Sequence, residues 1–126
     1  MEMNLHSEVT GNIASQAEIS DARHLVHDMF TAWHLQAAID DAELVISELA
    51  QNAFRYGQQP VVARLEYDGE HATCTIHDSG YWEAPDIENA DADAEHGRGM
   101  FIAQAVSGGL TVNSTPALGT DVTATF

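Results

Sequence analysis

The sequence predicts an α/β (α+β) two-layer sandwich, with helices on one face of a mixed, mostly antiparallel sheet. Three observations carry this expectation. Apolar residues recur at helical spacing in two stretches of the first half, two alternating runs flank an Asp-Gly step in the middle, and two more alternating runs close the chain. Helices mixed with hairpins in this order pack on one side of a sheet. At 126 residues the chain forms one domain, spanning 1–126, with room for one core and one site.

The elements follow in order. Met3 to Thr10 alternates loosely, with Leu5 and Val9 on one side, and reads as an edge strand. From Ala17 to Trp33 the apolar residues Ala22, Leu25, Val26, Met29, Phe30 and Trp33 form the stripe of an amphipathic helix. Leu35 to Asp40 links it to a second helix, Asp41 to Tyr56, capped by Asp40 or Asp41 and closed by Gly57 in a left-handed stop, with Pro60 beyond. Val61 to Asp68 and Ala72 to Asp78 alternate on either side of Asp68-Gly69, the signature of an antiparallel hairpin. Gly80 to His96 carries Pro85 and six acidic residues without apolar period, and reads as a mobile loop. The apolar run Met100 to Val106 is a short buried helix stopped by Gly108-Gly109. Leu110 to Thr115 and Thr120 to Phe126 are strands around a turn holding Pro116 and Gly119. No internal repeat is present.

Charge narrows the partners. All four basic residues are arginines (Arg23, Arg55, Arg64, Arg98), and twenty acidic residues bring the formal charge to -16. Such a surface opposes nucleic acid and anionic membrane alike. No run approaches the roughly 20 apolar residues of a spanning helix, and no signal-peptide start is visible, so the expected location is the cytoplasm. The acidity reads first as a solvated surface, and alternatively as a field that steers a basic partner protein. The single cysteine, Cys74, has no partner for an internal disulfide and reads as a small buried hydrophobe.

Four places carry chemistry. Glu48 and Asn52 stand one helical turn apart, within an arc that also holds Leu44, Val45, Leu49 and Tyr56, so both polar groups aim inward. A buried carboxylate needs a partner, whether metal, ligand or second polar residue. Asp78 is in phase with Ala72, Cys74 and Ile76, and Thr120 with Val122, Ala124 and Phe126. An inward carboxylate and hydroxyl suit a ligand amine in an apolar slot, while Asp78 in Asp-Ser-Gly also reads as a turn cap. Gly97-Arg98-Gly99 opens the short helix, where free N–H groups offer an anion seat; its plainer reading is flexible punctuation. A P-loop is excluded in a chain without lysine. His24, His27 and Asp28, with His34 nearby, read as an exposed helix flank rather than a metal site, and His96 and Ile102 break the calcium-loop pattern that begins at Asp91.

Taken together in this order, the pieces from about Leu44 to Phe126 resemble the ATP-binding domain shared by sensor histidine kinases, gyrase, Hsp90 and mismatch-repair ATPases, the GHKL or Bergerat fold. Glu48-Leu49-Ala50-Gln51-Asn52-Ala53 with Tyr56-Gly57 is similar to its N box. Asp78-Ser79-Gly80 resembles its first glycine box, Gly97-Arg98-Gly99-Met100 its second, and Gly119-Thr120 with Val122 its last. The small size resembles the anti-sigma-factor serine kinases. The resemblance implies ATP and Mg2+ as cofactors, with Asn52 a magnesium ligand, Asp78 accepting the adenine amine beside Gly80 and Thr120, and Gly97, Arg98, Gly99 and Met100 at the phosphates. It implies Glu48 as the general base on a protein serine. A histidine kinase is not expected, since His24-Leu25-Val26-His27 lacks a phosphoacceptor pattern and no dimerising helical pair precedes the domain.

The expected activity is thus an anti-sigma factor with serine/threonine-protein kinase activity on an anti-sigma-factor antagonist, acting by partner switching. Its partners would be that antagonist and a sigma factor, with a homodimer possible. The alternative is a nucleotide-gated protein-binding module without turnover, favoured by a lid from Tyr81 to His96 that holds no lysine or arginine. A third reading leaves Glu48 and Asn52 completing an internal polar network.

Overall fold

The computed structural model describes residues 7–15, 17–81 and 102–126. Its elements are β1 (Ser7–Ile13), α1 (Ala17–Ala32), a 3-10 turn (Gln36–Ala38), α2 (Ile39–Tyr56), β2 (Val61–Tyr67), β3 (Ala72–Asp78), β4 (Gly109–Thr115) and β5 (Gly119–Thr125). Residues 102–106 add a helical segment before β4. The sheet order is β1-β2-β3-β5-β4, and every neighbouring pair of these strands is antiparallel. The sheet expected to be mixed is therefore antiparallel throughout the described residues. None of the described helices is long and apolar enough to cross a membrane.

Alternation decides which face is covered. On β3, Ala72, Cys74, Ile76 and Asp78 are buried beneath the helices, and Thr120, Val122 and Ala124 of β5 share that face in register. The core joins them to Val26 and Phe30 of α1 and to Val45, Ile46 and Leu49 of α2. Phe30 meets Phe126 edge-on at 5.8 Å, and Trp33 stacks on Tyr67 at 5.2 Å, closing the end of the sandwich away from Asp78. The opposite face is polar, with Thr75 bonded to Thr123 across the strands and His77 Nδ1 2.6 Å from Asp121 Oδ1.

Several local expectations change. The edge strand is described over Ser7–Ile13 and continues past Thr10, while residues 3–6 of the expected span lie outside the described residues. α2 begins at Ile39 with Ala38 as its N-cap and no side-chain cap, so Asp40 and Asp41 lie inside the first turn. There their charge complements the helix dipole instead of capping. Leu44 and Tyr56 are 40% and 42% exposed, because the buried arc is centred on Ala42, Val45, Ile46, Leu49 and Ala53. Small residues there let α2 lie close against the sheet. Gly57 ends α2 in an extended conformation with φ -98, not a left-handed one. The turn between β2 and β3 is as the sequence predicts: Gly69 has φ +99, and Asp68 Oδ1 accepts the N–H groups of Glu70 and His71. Those bonds hold the Asp68 carboxyl below its ordinary pKa.

Cys74 is fully buried, and desolvation pushes its thiol up to about 12. It is expected to resist alkylation at pH 8 in the native protein and to react fully in denaturant. Mass spectrometry after timed labelling checks this, and rapid native labelling would place the sulfur at the surface.

Candidate functional site

Two of the buried polar residues, Asp78 and Thr120, meet where β3 ends and β5 begins. Asp78, 2% exposed, closes β3 and pairs in register with Thr120, 0% exposed, at the start of β5. Both stand in an otherwise apolar face because the strand phase carries them there, as the sequence predicts. The carboxylate does not float. Asp78 Oδ1 accepts the N–H of Gly80 at 2.7 Å and that of Gln58 at 3.2 Å, and Ser79 N–H donates to Gln58 O at 2.8 Å. Asp78 thus also serves as the turn cap of its plainer reading. These bonds stitch the chain leaving α2 to the turn leaving β3.

Glycines make this closeness possible. A Cβ on Gly57 would sit 2.6 Å from both Asp78 carboxylate oxygens, and one on Gly80 3.0 Å from Oδ1. Gly119 has φ +91, and a Cβ there would press on the Asp78 carbonyl oxygen and lie 3.0 Å from Ser79 Cα. Three glycines therefore wrap the end of β3 from α2, from its own turn and from β5. Gly57 earns its place through this contact, not through helix termination.

Thr120 is held by two partners. Its hydroxyl donates to Gly80 O at 2.8 Å, and Ser114 Oγ of β4 lies 2.7 Å from Thr120 Oγ1. Ser114 and Gln58 escaped the sequence reading. Ser114 was findable: it shares the strand phase of Leu110 and Val112, whose side chains meet the core, and it pairs with Thr120 across the β4–β5 turn. Gln58 acts through its backbone, which leaves no trace in residue type.

On α2, Asn52 is 4% exposed, whereas Glu48, one turn earlier, is half-buried. The pair expected to point equally inward is graded: Asn52 lies at the edge of the buried arc and Glu48 on its rim. Asn52 precedes Gly57 by five residues, about 7.5 Å along the helix axis. Asp78, Gly80 and Thr120 thus belong to one end of the sandwich, with Gly57 and Gln58 against them, and Asn52 stands in the last turns of the helix that leads to Gly57. Gly97, Arg98, Gly99 and Met100 lie outside the described residues. Beyond them, Ala103 of the helical segment is fully buried in the core.

The chemistry of this set is that of acceptors. A carboxylate beside a hydroxyl already committed to Gly80 favours a ligand group that donates, such as an exocyclic amine. The amide oxygen of Asn52 suits a hard cation. Among the described residues no cluster of three or more His, Cys, Asp or Glu could hold a metal, so a cation at Asn52 would draw most of its ligands from phosphate and water. Magnesium coordinates in that way beside nucleotides, and the residues present fit it.

Comparison with known proteins adds the family. No curated protein sequence matches the chain significantly. The family model of the histidine kinase-like ATPase domain matches residues 13–126, from the last residue of β1 to the end of the chain, and so covers both helices and every other described strand. That family binds ATP. With the antiparallel sheet, the helices on one face and the extent of the match in agreement, this chain belongs to the histidine kinase-like ATPase domain family.

Proposed function

We propose that this protein is an anti-sigma factor with serine/threonine-protein kinase activity toward an anti-sigma-factor antagonist, using ATP and Mg2+ and working by partner switching in the cytoplasm. The observation that carries the reading is the grading along α2, with Asn52 buried and Glu48 on the rim one turn away, within reach of an incoming protein. Asp78 and Thr120 accept the adenine amine beside Gly80. The Asn52 amide oxygen would hold Mg2+, which would supply positive charge to offset that of the phosphates. Gly97, Arg98, Gly99 and Met100 hold phosphate oxygens through backbone N–H groups and the arginine charge.

Glu48 takes the proton of a serine hydroxyl on the antagonist. The serine oxygen bonds to the terminal phosphorus as the bond from that phosphorus to the bridging oxygen breaks, and ADP departs. Positioning and charge neutralisation supply most of the rate. A second reading keeps nucleotide binding and omits transfer, and the run of acidic residues between Tyr81 and His96, without lysine or arginine, favours it.

Radiolabelled ATP with candidate antagonist proteins separates the two. Label is expected to appear on a serine of one antagonist, and Glu48→Gln is expected to lower the rate about a hundredfold or more while nucleotide still binds. Tight binding with no transfer to any partner would instead support the gated module.

A further inference from the structure

We infer that the groove between β1 and α1 is a docking surface for an extended segment of a basic partner protein, one that carries an aliphatic residue and, two positions along, an arginine or lysine. The groove holds about 290 Å³, with Gly11, Ala22, Leu25 and Ala63 as its apolar lining and Glu18 and Asp21 on its helix side. That volume lies at the low end of small-molecule pockets, roughly 300 Å³, and suits a side chain better than a cofactor. Gly11 pairs with Ala63 in register, and both stand on the helix-covered face that buries Ile13 two residues on. With Ala22 opposite, three small residues leave helix and sheet apart there. Gly11 has no internal contact to explain it: a Cβ would meet nothing within 4 Å, and its φ is not positive. Glycine weakens a strand, and one without an internal reason fits a surface that another chain approaches closely.

The edge and the charge name the occupant. Among the described residues β1 pairs with β2 alone, so its outer backbone groups can take an added strand. Alternate side chains of that strand would turn toward α1, the aliphatic one entering the hollow and the residue two along lying on the same side. Glu18 and Asp21 stand one turn apart on the helix face that continues to Leu25, and among the described residues neither forms an ion pair. Glu18 accepts the Ala14 N–H at 3.2 Å through one oxygen and keeps the other. Two carboxylates beside an apolar hollow are complemented by a cation on an aliphatic segment. The formal charge of -16 repels a second copy of this chain and draws a basic partner. The surface lies two strands from Asp78 in the sheet order and is independent of phosphoryl transfer.

The probe is a short synthetic peptide with the core Leu-Thr-Arg between threonine and serine flanks, titrated into the full-length chain and followed in the two-dimensional amide spectrum. Saturable shifts are expected at Gly11, Asn12, Ala22 and Leu25, and affinity is expected to fall when the leucine becomes glycine or the arginine glutamate. Gly11→Val, which fills the hollow with a residue favoured in strands, is expected to weaken binding about tenfold or more without lowering the melting temperature. Asp21→Asn should weaken it about threefold, the worth of an exposed ion pair. Asp21→Arg, at an exposed position and so harmless to folding, should reverse the preference toward the Leu-Thr-Glu peptide. Equal affinity for the arginine and glutamate peptides, an unchanged preference in Asp21→Arg, or no shifts along β1 and α1 would overturn the inference. Shifts at Gly11 and Ala22 that follow protein concentration without peptide would also overturn it, because the occupant would then be a second copy.

Discussion

Replacing Gly119 by alanine is expected to destabilise the protein by about 3 kcal/mol and to abolish nucleotide binding, the sum of a left-handed backbone cost and an overpacking cost. The residue has φ +91, and its missing side chain leaves room that the Asp78 carbonyl oxygen and the Ser79 backbone occupy. Relief requires the start of β5 to move away from the end of β3. That movement would pull Thr120 out of register with Asp78 and break its bond to Gly80. Gly11→Ala is the control, since a Cβ on Gly11 meets nothing within 4 Å. Thermal melts of both variants, with and without ATP, check the prediction; equal stability of the two would mean that the close approach at Gly119 is not required.

Asp78→Asn is expected to fold with near-normal stability and to bind ATP about 10- to 100-fold more weakly. The asparagine oxygen can still accept from Gly80 and Gln58, so the turn keeps its bonds. Its amide then offers N–H groups where the carboxylate offered an oxygen, and two donors face each other at the base. Hydrogen bonds to charged groups are worth about 1.5–3 kcal/mol, which sets the expected loss. Asp78→Ala would be a poorer probe, because it leaves the buried Gly80 N–H and the part-buried Gln58 N–H without their acceptor and costs stability for that reason alone. Titration with a fluorescent ATP analogue measures the effect, and wild-type affinity in Asp78→Asn would remove this residue from the base site.

The fold was legible in the sequence wherever one periodicity acted alone. β3 begins at Ala72 and ends at Asp78 as its alternation requires, and α1 follows its stripe to within one residue. Asp68-Gly69 announced its turn because Gly supplies the positive φ and Asp the side-chain acceptor. The arc of α2 was misjudged at Leu44 and Tyr56 because its core face is rich in alanine, a weak apolar signal on a surface that packs tightly against the sheet. The bulkier residues beside it, Leu44 and Tyr56, lie outside the arc.

The site was legible in part for the same reason. Strand phase alone predicts that Asp78 and Thr120 face inward, and they do. What phase could not reveal was contact between distant segments: Gly57 against the Asp78 carboxylate, and Gln58 through its backbone. The residues proposed for the phosphates, Gly97 to Met100, rest on the sequence resemblance and lie outside the described residues.

A titration of Mg-ATP followed in the two-dimensional amide spectrum tests most directly whether the end of β3 is the nucleotide site. Saturable shifts are predicted at Gly57 and Gln58, at Ser79 and Gly80, and at Gly119 and Thr120, the backbone that encloses Asp78. No shifts, or shifts confined to the opposite sheet face around Thr75, His77 and Thr123, would contradict it.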